Sequence, residues 1–192
     1  MPDSHPLIGK TLEGRFRLTG YIGEGAMATV LRGVDLAQNN TDVAVKVMHP
    51  HLAEDRAFAG RFRREAKAAA MLRHPNSVNI IHVGEDERRH FIVKELVQGR
   101  DLREVLKSEK RLPEVRAATI VSAVCDALEA AHKLGIVHRD LKPENIMVLE
   151  ATQPGQKEIV KVLDFGIAKL VDNAPKQPRS GDEPDSEPPP AL

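Results

Sequence analysis

Two closely spaced glycines stand between two strand-like runs near the start of the chain. Residues 22–30 read IGEGAMATV, which places Gly23, Gly25 and Ala28 in a G-x-G-x-x-A pattern. A strand rather than a helix follows them, which disfavours both a Rossmann dinucleotide site and a Walker phosphate loop. Glycines at a hairpin tip let backbone N–H groups approach phosphate oxygens, because no Cβ stands in the way. The segment predicts a phosphate-binding hairpin, and an ordinary turn is the alternative.

A lysine and a glutamate are predicted to point into apolar surroundings. Side chains alternate along a strand, so Lys46 in the run VAVK shares a face with Ala44. On a helical wheel, Glu65 falls within the apolar stripe of residues 57–72. An inward charge is costly unless it is paired. The two residues therefore predict an ion pair, and the alternatives are a snorkelling lysine and a glutamate at the edge of the stripe.

The most specific part of the sequence combines acids, bases and an amide in one short run. Residues 138–145 read HRDLKPEN, and residues 164–166 read DFG. With GEGAMA, VAVK and the inward Glu65 before them, these motifs resemble the catalytic domain of protein kinases, in particular bacterial serine/threonine kinases of the eukaryotic (Hanks) type. The resemblance implies an α+β, two-lobe fold. An antiparallel-sheet lobe with one helix would face an incomplete helical lobe, with ATP in the cleft between them.

The resemblance also implies which residues hold the nucleotide. Phosphoryl transfer depends on positioning and on charge neutralisation, so ATP needs a lysine on its phosphates and oxygen ligands for Mg²⁺. By resemblance, Lys46 contacts the phosphates and is held by Glu65, while Asn145 and Asp164 bind Mg²⁺. The other implied contacts, by backbone or side chain, come from Ile22, Gly23, Gly25, Val30, Ala44, Glu95, Val97 and Met147.

Three residues of the HRDLKPEN run are implied to be catalytic. By resemblance, Asp140 orients the substrate hydroxyl and accepts its proton, Lys142 neutralises the transferring phosphate, and Asn145 completes the set. A lysine two residues after Asp140 is similar to the serine/threonine-specific pattern rather than the tyrosine-specific one. The Leu-Lys-Pro-Glu stretch also favours a protein substrate, whose identity the sequence does not give.

The chain departs from the family pattern at Lys94. Alignment of FIVKELVQG places Lys94 at the back of the adenine pocket, where the family normally has an apolar or small polar side chain. A buried ammonium needs a carboxylate, and Glu65 is the nearest candidate by family geometry. Lys94 is then expected to compete with Lys46. The alternative is that its stem packs and its ammonium reaches water or phosphate.

The likeness stops at about residue 170. No Ala-Pro-Glu motif follows the DFG run, so we expect the peptide-binding platform to be missing and transfer to protein serine or threonine to be impaired. The alternative is a non-catalytic, ATP-binding regulatory module or truncated pseudokinase. An uncovered face of the helix at 113–134 is expected to promote self-association or partner binding.

Periodicity predicts the elements that position these residues. Strand-like runs lie within residues 15–48 and are followed by a helix at 57–72. The later predictions are strands at 79–83 and 90–93, a helix at 113–134, and strands at 146–149 and 160–163. We divide the chain into an N-terminal extension (1–11), a sheet lobe (12–98), a partial helical lobe (99–171) and a disordered tail rich in proline and acids (172–192).

Composition narrows the function classes. The 192 residues are 41% hydrophobic, and 28 basic residues balance 28 acidic ones. This balance argues against nonspecific nucleic-acid or anionic-lipid binding. We expect no membrane segment and a cytoplasmic location, because the sequence contains one cysteine and begins without an apolar leader.

Three smaller features are interpreted as structural. His49 and His51 flank Pro50 without a third ligand at suitable spacing, so a solvated loop is favoured over a metal site. The basic residues around position 64 are interpreted as a solvated helix face. Cys125 is expected in the core, between Val124 and Leu128.

Overall fold

The structure is a computed structural model that describes residues 5–149 and 158–165. Its nine strands, in chain order, are β1 (Thr11–Leu12), β2 (Phe16–Glu24), β3 (Ala28–Asp35), β4 (Thr41–Met48), β5 (Ile80–Asp86), β6 (Arg89–Glu95), β7 (Arg100–Asp101), β8 (Ile146–Leu149) and β9 (Ile159–Val162). The four α-helices of this part of the chain are α1 (Pro50–Ala53), α2 (Arg56–Ala69), α3 (Leu102–Glu109) and α4 (Glu114–Lys133). A short 3₁₀ helix spans Pro143–Asn145.

The first six strands form one antiparallel sheet in the order β1-β2-β3-β4-β6-β5. Strands β2, β3 and β4 follow one another as a meander, with Val30 opposite Lys46 in the β3–β4 register. This arrangement confirms the predicted strands of residues 15–48. It also confirms the strands expected near 79–83 and 90–93, which extend to Ile80–Asp86 and Arg89–Glu95.

The two faces of this sheet have separate apolar cores. Val43, Val45 and Val47 of β4 are buried on one face together with Phe16 and Phe91. The opposite face packs against α2 through a second group of buried residues that includes Ala28, Met48, Phe58, Phe62 and Ile92. Since side chains alternate along β4, Ala44 and Lys46 lie on the α2 side and are half-buried.

Helix α2 begins and ends where local chemistry allows it. The side chain of Asp55 caps the helix by accepting hydrogen bonds from the backbone N–H groups of Ala57 and Phe58. The helix ends at Ala69, three residues before the predicted end, and a turn carries the chain to Pro75. The one-turn helix α1 before it was not predicted, because four residues carry no periodic signal.

The second part of the structure combines a small sheet with α3 and α4. Strands β7, β8 and β9 form a three-stranded antiparallel sheet. Its buried residues pack with Ile120, Val124, Ala127 and Ala131 of α4. The two sheets and the helices together confirm the predicted α+β architecture.

The prediction that Cys125 lies in the core is wrong. Cys125 is exposed, because successive residues of a helix point about 100° apart and Val124 already faces the core. Val115 and Val121 are also exposed, by 81% and 60%. Leu134, predicted as part of the apolar stripe, is 46% exposed just beyond the helix. Within the described residues, α4 thus buries one stripe only.

The segment between α2 and β5 joins the two sheets. The backbone N–H of Val78 donates to the O of Val162 over 3.0 Å, and the N–H of Val162 donates to the O of Asn76 over 2.8 Å. The side chain of Lys161 on β9 forms a 2.6 Å ion pair with Glu95 at the end of β6. These contacts fix the strand that leads to Asp164 against the six-stranded sheet.

Some predictions fall outside the described residues. Gly166 of the DFG run and the tail at 172–192 belong to this group. Among the described residues, we find no helix with both the length and the apolar character needed to span a membrane.

Candidate active site

The glycine-containing hairpin is formed by the end of β2 and the start of β3. Gly23 pairs with Val30 across the hairpin, and the N–H of Gly25 donates to the O of Ala28 over 3.0 Å. A Cβ added at Gly23 would meet no atom within 4 Å, and one added at Gly25 would meet only the O of Ala28, at 3.8 Å. Packing within the protein therefore does not require glycine at these two positions. Their lack of side chains is consistent with a hairpin tip whose backbone a ligand can approach.

Lys46 crosses the cleft between the two sheets. Its Nζ donates to Oδ2 of Asp164 over 2.8 Å, and the two residues are 118 positions apart in the sequence. Burial lowers the pKa of Lys46 to about 8, with the negative charge of Asp140 opposing this shift. The predicted ion pair between Lys46 and Glu65 is wrong for this structure, because Asp164 takes the place of Glu65.

Glu65 forms an ion pair with an arginine instead of with Lys46. Its Oε1 lies 3.5 Å from NH1 of Arg139, the arginine of the HRDLKPEN run. Its Oε2 is buried and has no hydrogen-bond partner among the described residues. An unpaired buried carboxylate oxygen is costly, so this atom marks a place where a further donor would be stabilising.

Lys94 lies on the same face of the sheet as Lys46 and reaches the same acid. Lys94 is opposite Ala44 in the β4–β6 register, and it is buried. Its Nζ donates to Oδ1 of Asp164. The prediction that Glu65 would be its partner is therefore wrong, whereas the expected competition with Lys46 takes the form of a shared carboxylate. Burial, reinforced by the charge of Lys46, lowers the pKa of Lys94 below its usual value.

Asp140, Lys142 and Asn145 form one hydrogen-bonded group. Oδ2 of Asp140 lies 3.0 Å from Nζ of Lys142 and accepts from Nδ2 of Asn145 over 3.1 Å. The same amide nitrogen donates to the backbone O of Asp140 over 2.7 Å. The hydrogen bond from Lys142 lowers the pKa of Asp140, so this acid is ionised at neutral pH.

His138 anchors this loop to the strand that ends at Asp164. Its Nε2 lies 2.7 Å from the O of Leu163, and the backbone N–H of Asp140 donates to its Nδ1 over 3.3 Å. The ring of Phe165 meets the His138 ring edge-on, with centroids 5.0 Å apart. Arg139 and Asp164 have positive φ angles of 65° and 55°, an uncommon conformation for residues other than glycine. The loop is thus held in a defined shape.

The residues implied to hold adenine lie on several elements and range from half-buried to exposed. Val30 and Ala44 are half-buried on β3 and β4, and Met147 is half-buried on β8. Ile22 is 48% exposed on β2. Val97 lies in the connection after β6 and is half-buried.

The side chain of Glu95 is directed to structural contacts. Its Oε1 accepts from the backbone N–H of Asn79 and also binds Lys161. Its backbone N–H donates to the O of Asn79. Sequence reasoning missed this network and the pairing of Arg139 with Glu65, since neither set of partners lies close in the chain.

The residues present fit ATP. The open hairpin tip, two lysines that converge on one point and half-buried apolar side chains match a triphosphate, its counter-charges and an aromatic base. The oxygens of Asn145 and Asp164 are of the type that Mg²⁺ prefers. Both Asp164 oxygens, however, already accept from lysines. Among the described residues, neither this site nor any other contains a cluster of three or more His, Cys, Asp or Glu side chains that could hold a metal ion.

Comparison with known proteins points to one family. A family model described as "Protein kinase domain" matches residues 16–183. The chain is 43% identical over 178 residues to the serine/threonine-protein kinase pkn3 of Myxococcus xanthus, an alignment that covers 92% of this chain and 32% of the relative. It is 42% identical over 175 residues to the serine/threonine-protein kinase PknA of Mycobacterium tuberculosis, covering 88% of this chain and 39% of the relative.

Solved structures agree with these sequences. The PknI kinase domain of Mycobacterium tuberculosis superposes with a TM-score of 0.71 at 29% identity, covering 88% of this chain and 69% of that one. Rad53 in complex with AMP-PNP gives a TM-score of 0.68 at 30% identity, covering 81% and 40%. The chain spans about a third of the length of the curated relatives it matches, 32% of pkn3 and 39% of PknA.

Proposed function

The chain belongs to the protein kinase family, and from this premise we propose that it forms the ATP site and catalytic loop of a serine/threonine protein kinase. The proposed reaction moves the γ-phosphate of ATP to a serine or threonine hydroxyl of a protein. The observation that supports it most is the group of Asp140, Lys142 and Asn145, which His138 ties to the strand end carrying Asp164.

Phosphate binding, proton transfer and charge neutralisation would each be carried out by different residues of the chain. Nζ of Lys46 would hold the phosphates, and the hairpin tip would let them approach its backbone, because Gly23 and Gly25 carry no side chain there. The ionised carboxylate of Asp140 would orient the substrate hydroxyl and accept its proton, with Asn145 fixing the carboxylate through Nδ2. Lys142 would offset the negative charge that develops beside it. The family likeness assigns Mg²⁺ to Asn145 and Asp164, where it would neutralise phosphate oxygens if a lysine gave up its place on Asp164.

Titration calorimetry with ATP tests the nucleotide site. We expect the folded chain to bind ATP, and Lys46→Met and Asp164→Asn to weaken binding by about tenfold or more, the worth of a charge-assisted hydrogen bond. Lys107→Met, a change at an exposed lysine of α3, is the control and should bind as the wild type does. If the folded wild type released no heat with millimolar ATP, the nucleotide-site proposal would fail.

A second candidate function is a nucleotide-binding module that does not transfer phosphate. It is supported by the occupation of Asp164 by two lysines and by the pairing of Glu65 with Arg139 instead of Lys46. The sequence after Asp164 also contains no Ala-Pro-Glu motif. Since most of the attainable rate comes from positioning the hydroxyl, we expect the 192-residue chain alone to be a poor protein kinase.

A γ-phosphate transfer assay tests whether this chain alone transfers phosphate. The chain is incubated with radiolabelled ATP and a generic basic protein, with Asp140→Asn as the matched control because it removes only the carboxylate charge. We expect wild type and control to give the same low signal. Robust turnover by the wild type that is lost in Asp140→Asn would support the catalytic function in this chain alone and contradict the expectation of poor transfer.

A further inference from the structure

Lys94 and Lys46 together occupy the carboxylate of Asp164. Lys46 uses Oδ2 over 2.8 Å, and Lys94 uses Oδ1. The two lysines come from neighbouring strands of one sheet, β4 and β6, so the fold itself brings them to the same acid. Each carboxylate oxygen of Asp164 therefore accepts a hydrogen bond from a lysine.

Among the described residues that line the cavity around Lys94, Asp164 is the only acid. Besides Lys94 and Asp164, uncharged side chains line the small cavity around them: Ala69, Ser77, Val78, Ile80 and Phe165. A buried amino group is stable only with a hydrogen-bond acceptor, so Lys94 stays on Asp164. Glu65, the alternative acid, is instead engaged by Arg139.

In this arrangement, Lys94 and a divalent cation would compete for the carboxylate of Asp164. A metal ion on Asp164 would lie beside two lysine amino groups, one on each carboxylate oxygen. Each oxygen keeps a second lone pair, so the obstacle is the repulsion between the metal and the positive charges of the lysines. Displacing Lys94 from Asp164 would leave its amino group without a counter-charge in a cavity of uncharged side chains, and leaving it in place would put the metal next to a like charge. The counter-charge that a metal normally supplies next to phosphate is already supplied by protein side chains.

We propose that Lys94 is a positioning residue that takes the place of a divalent cation at Asp164, so that this cleft binds ATP almost equally well with and without Mg²⁺. The inference rests on the proposed ATP site. It concerns nucleotide binding and is independent of whether phosphate is transferred.

Calorimetric titration of the chain with ATP, in excess MgCl₂ and in EDTA, tests the proposal. For the wild type, the two dissociation constants should agree within about threefold. For Lys94→Met, which keeps the stem but removes the donor, chelation should weaken binding by about tenfold or more, because the metal then supplies the missing charge-assisted contact. Lys107→Met, at an exposed position of α3, should behave as the wild type does.

Three other outcomes of the titrations would overturn the inference. A wild type that depends on Mg²⁺ as strongly as Lys94→Met overturns the inference and leaves the ATP site standing. A Lys94→Met variant that remains insensitive to chelation also overturns it, because Lys94 would not be the cause. Absence of ATP binding in both buffers overturns the proposed ATP site and the inference with it. If Lys94→Met does not fold, Lys94→Gln replaces it: it removes the charge but keeps a donor, and chelation should again weaken its ATP binding relative to the wild type.

Discussion

Replacement of His138 by alanine should destabilise the chain through the catalytic loop. The ring is only 2% exposed and joins three parts of the site: the O of Leu163, the N–H of Asp140 and the ring of Phe165. Each hydrogen bond contributes about 1 kcal/mol, and the edge-on ring contact adds about 1 kcal/mol. With the cavity left by the ring, we expect a loss of about 3 to 4 kcal/mol in the free energy of unfolding.

The same contacts predict how the loss depends on pH. A carbonyl oxygen only accepts, so Nε2 of His138 carries the proton, and Nδ1 must be unprotonated to accept from Asp140. Burial lowers the pKa of His138 below its usual 6.5. The unfolded chain therefore binds the proton first on acidification, and stability falls as the pH drops from 6.5 toward the pKa in the folded state.

Urea unfolding followed by circular dichroism measures both effects. At a pH above 6.5, His138→Ala should be less stable than the wild type by the amount given above, and the gap should narrow in acid because only the wild type loses the contribution of a neutral His138. His132→Ala, at an exposed position in the last turn of α4, is the matched control with little expected effect. A gap that stays constant or widens on acidification would refute the assigned proton position.

Two further predictions concern packing and pairing. Gly99→Ala should lower the free energy of unfolding by about 2 kcal/mol, because the new Cβ would lie 2.5 Å from the backbone O of Val148. Gly23→Ala, where a Cβ meets nothing within 4 Å, is the control, and equal urea midpoints for the two variants would contradict the crowding argument. Asp35→Ala should cost about 3 kcal/mol, because this 1% exposed carboxylate holds a two-pronged ion pair. Asp42→Ala, at an exposed pair, should cost less than about 1 kcal/mol, and similar losses for the two aspartates would count against the role of burial.

Elements with a local signal could be predicted from the sequence. The helix expected at 113–134 runs Glu114–Lys133, since Pro113 stands at its N-cap and Gly135 adopts the positive φ of 72° that ends it. The strand expected at 160–163 is shifted by one residue, to Ile159–Val162. Apolar periodicity and turn residues carry this information within a few neighbours, so no knowledge of distant contacts is needed.

The ion-pair partners of the charged residues in the cleft could not be predicted from local sequence patterns. Alternation along β4 shows that Lys46 is inward, but it does not say whether Glu65, Asp140 or Asp164 receives it. That choice depends on how the segment ending at Asp164 packs across the cleft, over a separation of 118 residues. Family likeness suggested Glu65, but in the structure Arg139 pairs with Glu65 and Lys46 lies on Asp164.

Among the described residues, Oε2 of Glu65 has no hydrogen-bond partner, and one rearrangement of the lysines would supply it with a donor. Leaving Oε2 buried without a donor costs about 1–3 kcal/mol, and Lys46 is the cation that the family likeness assigns to it. If Lys46 moved from Asp164 to Glu65, Oε2 would gain its donor and Oδ2 of Asp164 would be released. Without a second lysine on Asp164, this movement of Lys46 would leave the carboxylate without a counter-charge. Here Lys94 remains on Oδ1, so Lys46 can move without leaving the carboxylate of Asp164 unpaired, and Lys94 lowers the energetic cost of that movement.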